Sequence, residues 1–300
     1  MDARGMHDHR QNRDMVDEKL SIVVAVNNRQ ILQSNLLRSP ALADPRCPHQ
    51  IIIRENFATA GAAYNSGLDE AVNDLVVFIH QDMYLPADWV HNVVASIRAL
   101  EASGENWGVV GCSGVTRERR AGLGQIYSTG LGVIGMPLQQ PTPVDTLDEI
   151  VLVIRKSRGL RFDPDVPGYH MYGTDICLEA RSRGMRSFSI QAFCVHNTRQ
   201  ILDLPSDFKV AYRYIKRKWR RYMPIYTTCT VVERFDWDLL NQWKHALIER
   251  IRGRPRIPAP RMADPTVIFR GGENAQSVVA VADHDPQAQQ RNHVAATESR

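Results

Sequence analysis

The chain has 300 residues, 43% hydrophobic and 23% charged, with 37 Lys and Arg against 33 Asp and Glu for a net charge of +4. That composition excludes collagen-like, wholly disordered and disulfide-scaffold classes, and so mild a charge gives no reason to expect nucleic acid as a partner. No run approaches the roughly 20 apolar residues of a membrane-spanning helix, and the five cysteines (Cys47, Cys112, Cys177, Cys194, Cys229) form no C-x-x-C pair, which disfavours a zinc ribbon and suits reduced thiols in the cytoplasm.

Residues 1–18 are polar, rich in His, Arg and Asp, and lack an apolar h-region. They read as a flexible leader rather than a secretory signal. Leu20 to Val26 is a short β-branched run that stops at Asn27-Asn28, the pattern of a buried strand. Ile31 to Leu37 has helical period. Gln50 to Arg54 predicts a second buried strand, ending in Glu55-Asn56, and Thr59 to Val72 a helix whose tight start Gly61 permits. Leu75 to Ile79 predicts a third strand, ending in His80-Gln81-Asp82. Trp89 to Ala102 places Trp89, Val90, Val93, Val94, Ile97 and Leu100 on one helical face, and Trp107 to Gly111 is a fourth strand.

This alternation predicts an α/β fold with a mostly parallel central sheet flanked by helices. Ligands of such sheets sit beyond the carboxyl ends of the strands, where Asn27, Glu55, Asn56, His80 and Asp82 collect. From Ser113 to Thr146 the sequence turns Gly- and Pro-rich, with Arg117, Arg119 and Arg120 early, and reads as loop or hairpin facing the site. Ile150 to Ile154 is another buried strand. Asp175 to Arg183 is a short amphipathic helix closed by Gly184, and Phe188 to Val195 a last strand ending at His196. Residues 201–252 form a basic helical extension, with Tyr212, Tyr214 and Trp219 interleaved among Lys and Arg. The basic-aromatic stretch from Tyr212 to Arg221 suits a solvated helical face, a peripheral contact with anionic lipid or a lipid-diphosphate acceptor, or a nucleic-acid patch, the last disfavoured by the mild overall charge. Residues 253–300 are polar and rich in Pro, Gln and Ala, the composition of a disordered tail.

Several chemistries lack their residues. There is no G-x-G-x-x-G or Walker motif and no G-x-S-x-G elbow, which argues against a Rossmann dehydrogenase, a P-loop kinase and an α/β-hydrolase. A carboxylate and an imidazole at a strand end, as in His80-Gln81-Asp82, can reach a divalent cation from a rigid platform.

The blocks FATAGAAYNSGLDEAVNDLVVFIHQDMYLPADWV, VDTLDEIVLVIRK, LRFDPDVPGYHMYGTDICLEARSRG and CVHNT, in that order and spacing, resemble family-2-type glycosyltransferases with the GT-A fold, in the bacterial branch whose strand ends in H-[QE]-D instead of D-x-D. The resemblance covers roughly residues 20–200 and implies a GT-A-like Rossmann-type domain over 19–200. It also implies a nucleoside-diphosphate sugar donor, a glycan or lipid-linked acceptor, and Mn2+ or Mg2+. Residue by residue, it makes Asp82 a metal ligand, assigns His196 to metal or diphosphate, and leaves His80 to metal, ribose or phosphate. Val26 and Asn27 would flank the nucleobase, Glu55 or Asn56 would bond it, and Asn65 and Gln81 would belong to the donor site; for Asn65, holding a loop is the competing role. The family's usual base falls on Gly173, so Asp175 is the nearest acid for that role, with Asp148 and His170 as alternatives. The resulting expectation is an inverting, metal-dependent glycosyltransferase of surface glycan synthesis, cytoplasmic or at the membrane surface. Its rival is a non-catalytic nucleotide- or glycan-binding protein on the same fold.

Overall fold

The computed structural model describes residues 18–43, 49–118, 122–252 and 257–269. The leader up to residue 17, Cys47, Arg119, Arg120 and the tail beyond residue 269 lie outside them. The strands are β1 (Leu20–Val26), β2 (Gln50–Glu55), β3 (Leu75–His80), β4 (Met83–Tyr84), β5 (Trp107–Gly111), β6 (Gly114–Val115), β7 (Ile126–Ser128) and β8 (Gly132–Ile134). They continue with β9 (Thr142–Val144), β10 (Thr146–Leu147), β11 (Val151–Arg155), β12 (Arg186–Ser189), β13 (Val195–His196), β14 (Ile225–Tyr226) and β15 (Val231–Val232). The α-helices are α1 (Arg29–Ser34), α2 (Ala60–Glu70), α3 (Trp89–Ala102), α4 (Tyr172–Ser182), α5 (Ser206–Lys218) and α6 (Trp237–Ile251).

The main sheet runs β2-β1-β3-β11-β5-β12-β9. β1 is parallel to β2 and β3, and β12 to β5, while β11 runs antiparallel between β3 and β5. Side chains alternate across the sheet, as the two-residue period of a strand requires. Ile22, Val24, Val77, Ile79, Val151 and Val153 enter one core, packed with α3 through Trp89, Val93 and Ile97. Val23, Val76, Phe78, Leu152 and Ile154 enter the other, packed with α2 and α4 through Tyr64, Leu68, Tyr172 and Ile176. Both faces are thus covered, which is why these strands read as unbroken apolar runs. α2 comes close to the chain after β11: a Cβ at Gly61 would lie 2.2 Å from the Asp163 carbonyl oxygen, so only glycine fits there.

The predicted strand from Phe188 to His196 is two strands. β12 ends at Ser189 in the main sheet, and β13 belongs to a second sheet ordered β4-β13-β7-β8. Pairing with β4 sets His196 opposite Met83 and Val195 opposite Tyr84. The break lets the chain leave the main sheet and return across the carboxyl end of β3. The helix expected from Asp175 begins three residues earlier, at Tyr172.

The extension has a small core of its own, Phe208, Ala211, Tyr212, Ile215, Trp219 and Val232, closed against Val166, Met171 and Leu178. It therefore covers the outer side of α4. Residues 257–269, which composition assigns to a disordered tail, are packed: Ile268 and Phe269 are buried with Tyr84 and Phe193 beside the second sheet. Two aromatic or aliphatic anchors suffice to hold a short segment whose overall composition is polar.

Candidate functional site

β1, β2 and β3 end side by side, so the polar residues just past them share one edge. Gln81 ties two of these ends together: its Oε1 accepts from the Asn27 and Asn28 backbone N–H groups (3.2 and 3.1 Å), and its amide donates to the Asn27 side chain. Asn28 caps α1, accepting from Gln30 N and Ile31 N. Arg29 forms a bidentate pair with Glu55 (2.8 and 2.6 Å), which lowers the Glu55 carboxyl below its ordinary range. Asn56 adopts a left-handed backbone (φ 63°), turning the chain sharply after β2. Val26 is buried at the end of β1, opposite Glu55. The edge residues expected from the sequence therefore gather here, with Arg29 added.

Asn65 departs from its expected place in the donor site. Its amide donates to the Phe162 carbonyl (2.8 Å) and accepts from the Phe162 N–H (3.0 Å), so both ends hold the segment after β11. The competing role, a helix residue that fixes a loop, describes this geometry.

Deeper in the site, His80, Asp82 and His196 each offer one ligand atom, all within 4.8 Å of one another. His196 Nε2 is 3.5 Å from Asp82 Oδ1. Asn197 N–H donates to the Asp82 carbonyl (2.9 Å), fixing the backbone of the two segments together. Burial would raise Asp82, but the hydrogen bond and charge of His196, with His80 and Arg261, hold its carboxyl well below the usual range. Burial would lower His196, and Asp82 outweighs it, so the imidazole is raised. His80 is pushed down to about 4, by burial first and by His196 second. It is therefore neutral at physiological pH. The Tyr172 hydroxyl has one proton and donates it to the Glu149 carbonyl (2.9 Å). His80 Nε2 lies 2.8 Å from that same hydroxyl, which fixes the plane of the imidazole at the strand end.

A dication with ligand distances of about 2.0–2.2 Å spaces its donor atoms at most about 4.4 Å apart. The trio fits such an ion after a contraction of a few tenths of an ångström. Two imidazoles and one carboxylate suit Mn2+ or a later first-row dication better than Mg2+, which prefers oxygen throughout.

Two further groups adjoin the trio. Arg261, from the segment composition marked as tail, donates to Asp82 Oδ2 (3.0 Å) and to the Asn197 carbonyl (2.6 Å). Met262 N–H donates to Asn197 Oδ1, and Asn197 Nδ2 donates to the Met262 carbonyl. No motif marks Arg261. The second group is Glu149. Because β11 is antiparallel to β3, the residues before it lie where β3 ends; His80 N–H donates to the Ile150 carbonyl (3.1 Å). Asp148 and Glu149 thus flank His80. Glu149 Oε1 accepts from Gly173 N–H (3.3 Å) at the start of α4, where the helix dipole favours a carboxylate. Burial, then the Asp148 charge, nevertheless pushes its carboxyl up to about 8. A Cβ on residue 173 would come within 2.8 Å of Glu149 Cγ, so the Glu149 side chain occupies the room that a side chain at 173 would take.

Asp175 is not at this edge. It is 2% exposed and accepts from Trp219 Nε1 (2.6 Å) and Lys218 Nζ (3.0 Å), sealed beneath the extension. An acceptor hydroxyl has no access to it, which removes the expected base. Its carboxyl is raised by burial, against the pull of Lys218. Sequence reasoning could not anticipate this, because the partners lie 43 and 44 residues away. His170, the other alternative, is half-buried beside Asp207 (3.5 Å) and Phe208.

Residues 21–209 match the model of a family described as "Glycosyltransferase like family". A curated protein of Fuscovulum blasticum, "ATP synthase subunits region ORF 6", is 30% identical over 155 residues, a match that covers 50% of this chain and 61% of that protein. The chain thus spans less than two thirds of that relative's length. Among solved structures, S. aureus TarS 1-349 in complex with UDP-GlcNAc is similar at a TM-score of 0.44 and 14% identity, over 67% of this chain and 66% of that one. The mannosyltransferase PcManGT from Pyrobaculum calidifontis, in complex with GDP-Man and Mn2+, is similar at a TM-score of 0.41 and 13% identity, over 94% of this chain and 80% of that one.

Proposed function

The chain belongs to the glycosyltransferase-like family, and we propose that it is a metal-dependent, inverting enzyme that moves a sugar from a nucleoside-diphosphate sugar to an acceptor hydroxyl. The observation that carries this reading is the convergence of His80, Asp82 and His196 at the carboxyl edge of the sheet. They lie at the edge where Asn27, Glu55, Asn56 and Gln81 gather at the ends of the neighbouring strands. In that arrangement Asn27 and Glu55 bind the nucleoside, with Val26 as the apolar floor and Gln81 holding the two strand ends in register. A bound dication supplies electrostatic stabilisation of the diphosphate as it leaves. Asp82 and the two imidazoles would hold that ion, and the Arg261 guanidinium adds a fixed positive charge beside them.

The proton of the acceptor hydroxyl needs a base. Glu149 fits best, because its carboxyl lies near 8 and so exchanges protons close to neutral pH, where general-base catalysis is most effective. Asp148, next to it, keeps the local charge negative. A single displacement assisted by one base inverts the anomeric centre. Glu149 would thereby take the role of the base that the family resemblance places at Gly173. Specificity for donor, acceptor and linkage lies in the loops around this edge; a glycan or lipid-linked acceptor in surface glycan synthesis is the proposed context.

The test is calorimetric titration with UDP, GDP and dTDP, each with and without Mn2+. Tight binding of one nucleotide only in the presence of metal is expected, and no binding of any of them overturns the reading. Metal-dependent binding with no turnover of any matching sugar donor would favour the non-catalytic rival, for which the burial of Asp175 is the supporting observation.

A further inference from the structure

The apolar side chains of α6 divide into two sets. Leu239 packs into the core of the extension, and Asp238 accepts from the Thr230 hydroxyl and Val231 N–H, which fixes the inner face. The outer face is exposed at Leu240 (50%), Trp243 (62%), Leu247 (39%) and Ile251 (76%). At 100° per residue these four positions fall within about 80° of helix circumference, a continuous apolar stripe some 16 Å long. Phe235 and Trp237 are exposed at its start.

The stripe begins beside a cationic groove. A cavity of about 440 Å³ is lined by Arg213, Lys216, Arg217, Arg220, Arg234 and Asp236. Asp236 is engaged by Lys216 and by the Tyr212 hydroxyl. Arg213, Arg217 and Arg220 make no salt bridge among the described residues. Residues 206–252 hold eleven Lys and Arg against five Asp and Glu, so with a whole-chain charge of +4 the remainder is net negative. The positive charge is therefore concentrated in the segment that carries the apolar stripe.

We propose that this face docks the protein on an anionic phospholipid surface. The stripe inserts to the depth of the headgroups, with Trp237 and Trp243 at the boundary where indole rings prefer to sit, and the arginine groove receives lipid phosphates. Charge decides between this occupant and a second copy of the chain: pairing two such faces would bring two strongly basic segments together, whereas an anionic bilayer complements them. The inference goes beyond the transfer reaction and does not depend on it.

The test is flotation of the full chain with vesicles of phosphatidylcholine alone or mixed with phosphatidylglycerol, read together with quenching of tryptophan fluorescence by brominated lipid. Binding only to the anionic vesicles, weakened by salt, is expected. The triple substitution Arg213→Gln, Arg217→Gln, Arg220→Gln should lower the partition coefficient about 100-fold, at about fivefold per cation near a charged surface. Trp243→Ser should weaken binding, and Trp237→Phe with Trp243→Phe should abolish most of the quenching while binding persists. All these side chains are exposed, and circular dichroism of each variant checks that the fold is kept. Equal binding to both vesicle types, no binding to either, or binding insensitive to the triple arginine substitution and to Trp243→Ser overturns the proposal. So does a dimer in sedimentation that Trp243→Ser dissociates, since the stripe would then be an interface between copies.

Discussion

Replacing Glu149 by glutamine separates catalysis from stability in a way that only a half-buried, protonatable base produces. The amide keeps the shape and can still accept from Gly173 N–H (3.3 Å), but it cannot take a proton. General-base assistance is typically worth about 100- to 10,000-fold, so turnover should fall by that order while nucleotide affinity changes little. In the native protein, turnover should rise with pH and level off above an apparent value near 8, because the deprotonated carboxylate is the active form. Stability should move the opposite way. The folded carboxyl holds its proton up to about 8, against 4.5 in the unfolded chain. Its stabilising contribution is complete below 4.5 and is lost as pH climbs through 8. At about 1.4 kcal/mol per unit, that loss is about 3–5 kcal/mol. Glu149→Gln carries no charge to bury and escapes the loss. At pH 9 it should therefore melt higher than the native protein, by roughly 2–4 °C for each kcal/mol. The assays are release of nucleoside diphosphate from the donor whose nucleotide binds, and thermal unfolding at pH 5, 7 and 9. Native-like turnover in Glu149→Gln, or a melting difference independent of pH, refutes the assignment.

Asp82→Ala removes the one carboxylate of the metal trio, so Mn2+-dependent nucleotide affinity should drop at least tenfold in calorimetry, while metal-free affinity stays unchanged. Metal titration of the native site should rank Mn2+ above Mg2+, because two of its three ligands are imidazoles. Asp175→Asn should leave turnover within a few-fold and lower stability by about 1–3 kcal/mol, since a buried acceptor of Lys218 and Trp219 loses its charge; a turnover loss beyond 100-fold would restore it as the base. Asn65→Ala should cost about 1–3 kcal/mol in urea unfolding through the two bonds to Phe162, with nucleotide affinity unaltered.

Much of this was present in the linear sequence. The strands from Leu20, Gln50, Leu75 and Trp107 and the helix Trp89–Ala102 follow from local pattern, because a run buried on both faces is uniformly apolar and a helix buried on one face repeats every three or four residues. The polar strand ends Asn27, Glu55 and His80-Gln81-Asp82 were legible for the same reason: a parallel arrangement brings successive carboxyl ends to one edge without further information. The direction of β11 was not, since an apolar run reads the same whichever way it lies in a sheet. That direction alone puts Glu149 beside His80 and not at the far edge. The burial of Asp175 was equally hidden, because it depends on Lys218 and Trp219 arriving from a separate helix. Arg261 reached Asp82 across 179 positions of sequence, on a segment held by Ile268 and Phe269. Local pattern thus determined which residues are strand, helix and edge, since those properties depend on neighbours a few positions away. Tertiary packing alone decided which acid reaches the site, which is sealed and which cation meets it, because burial and charge pairing are set by residues distant in the chain.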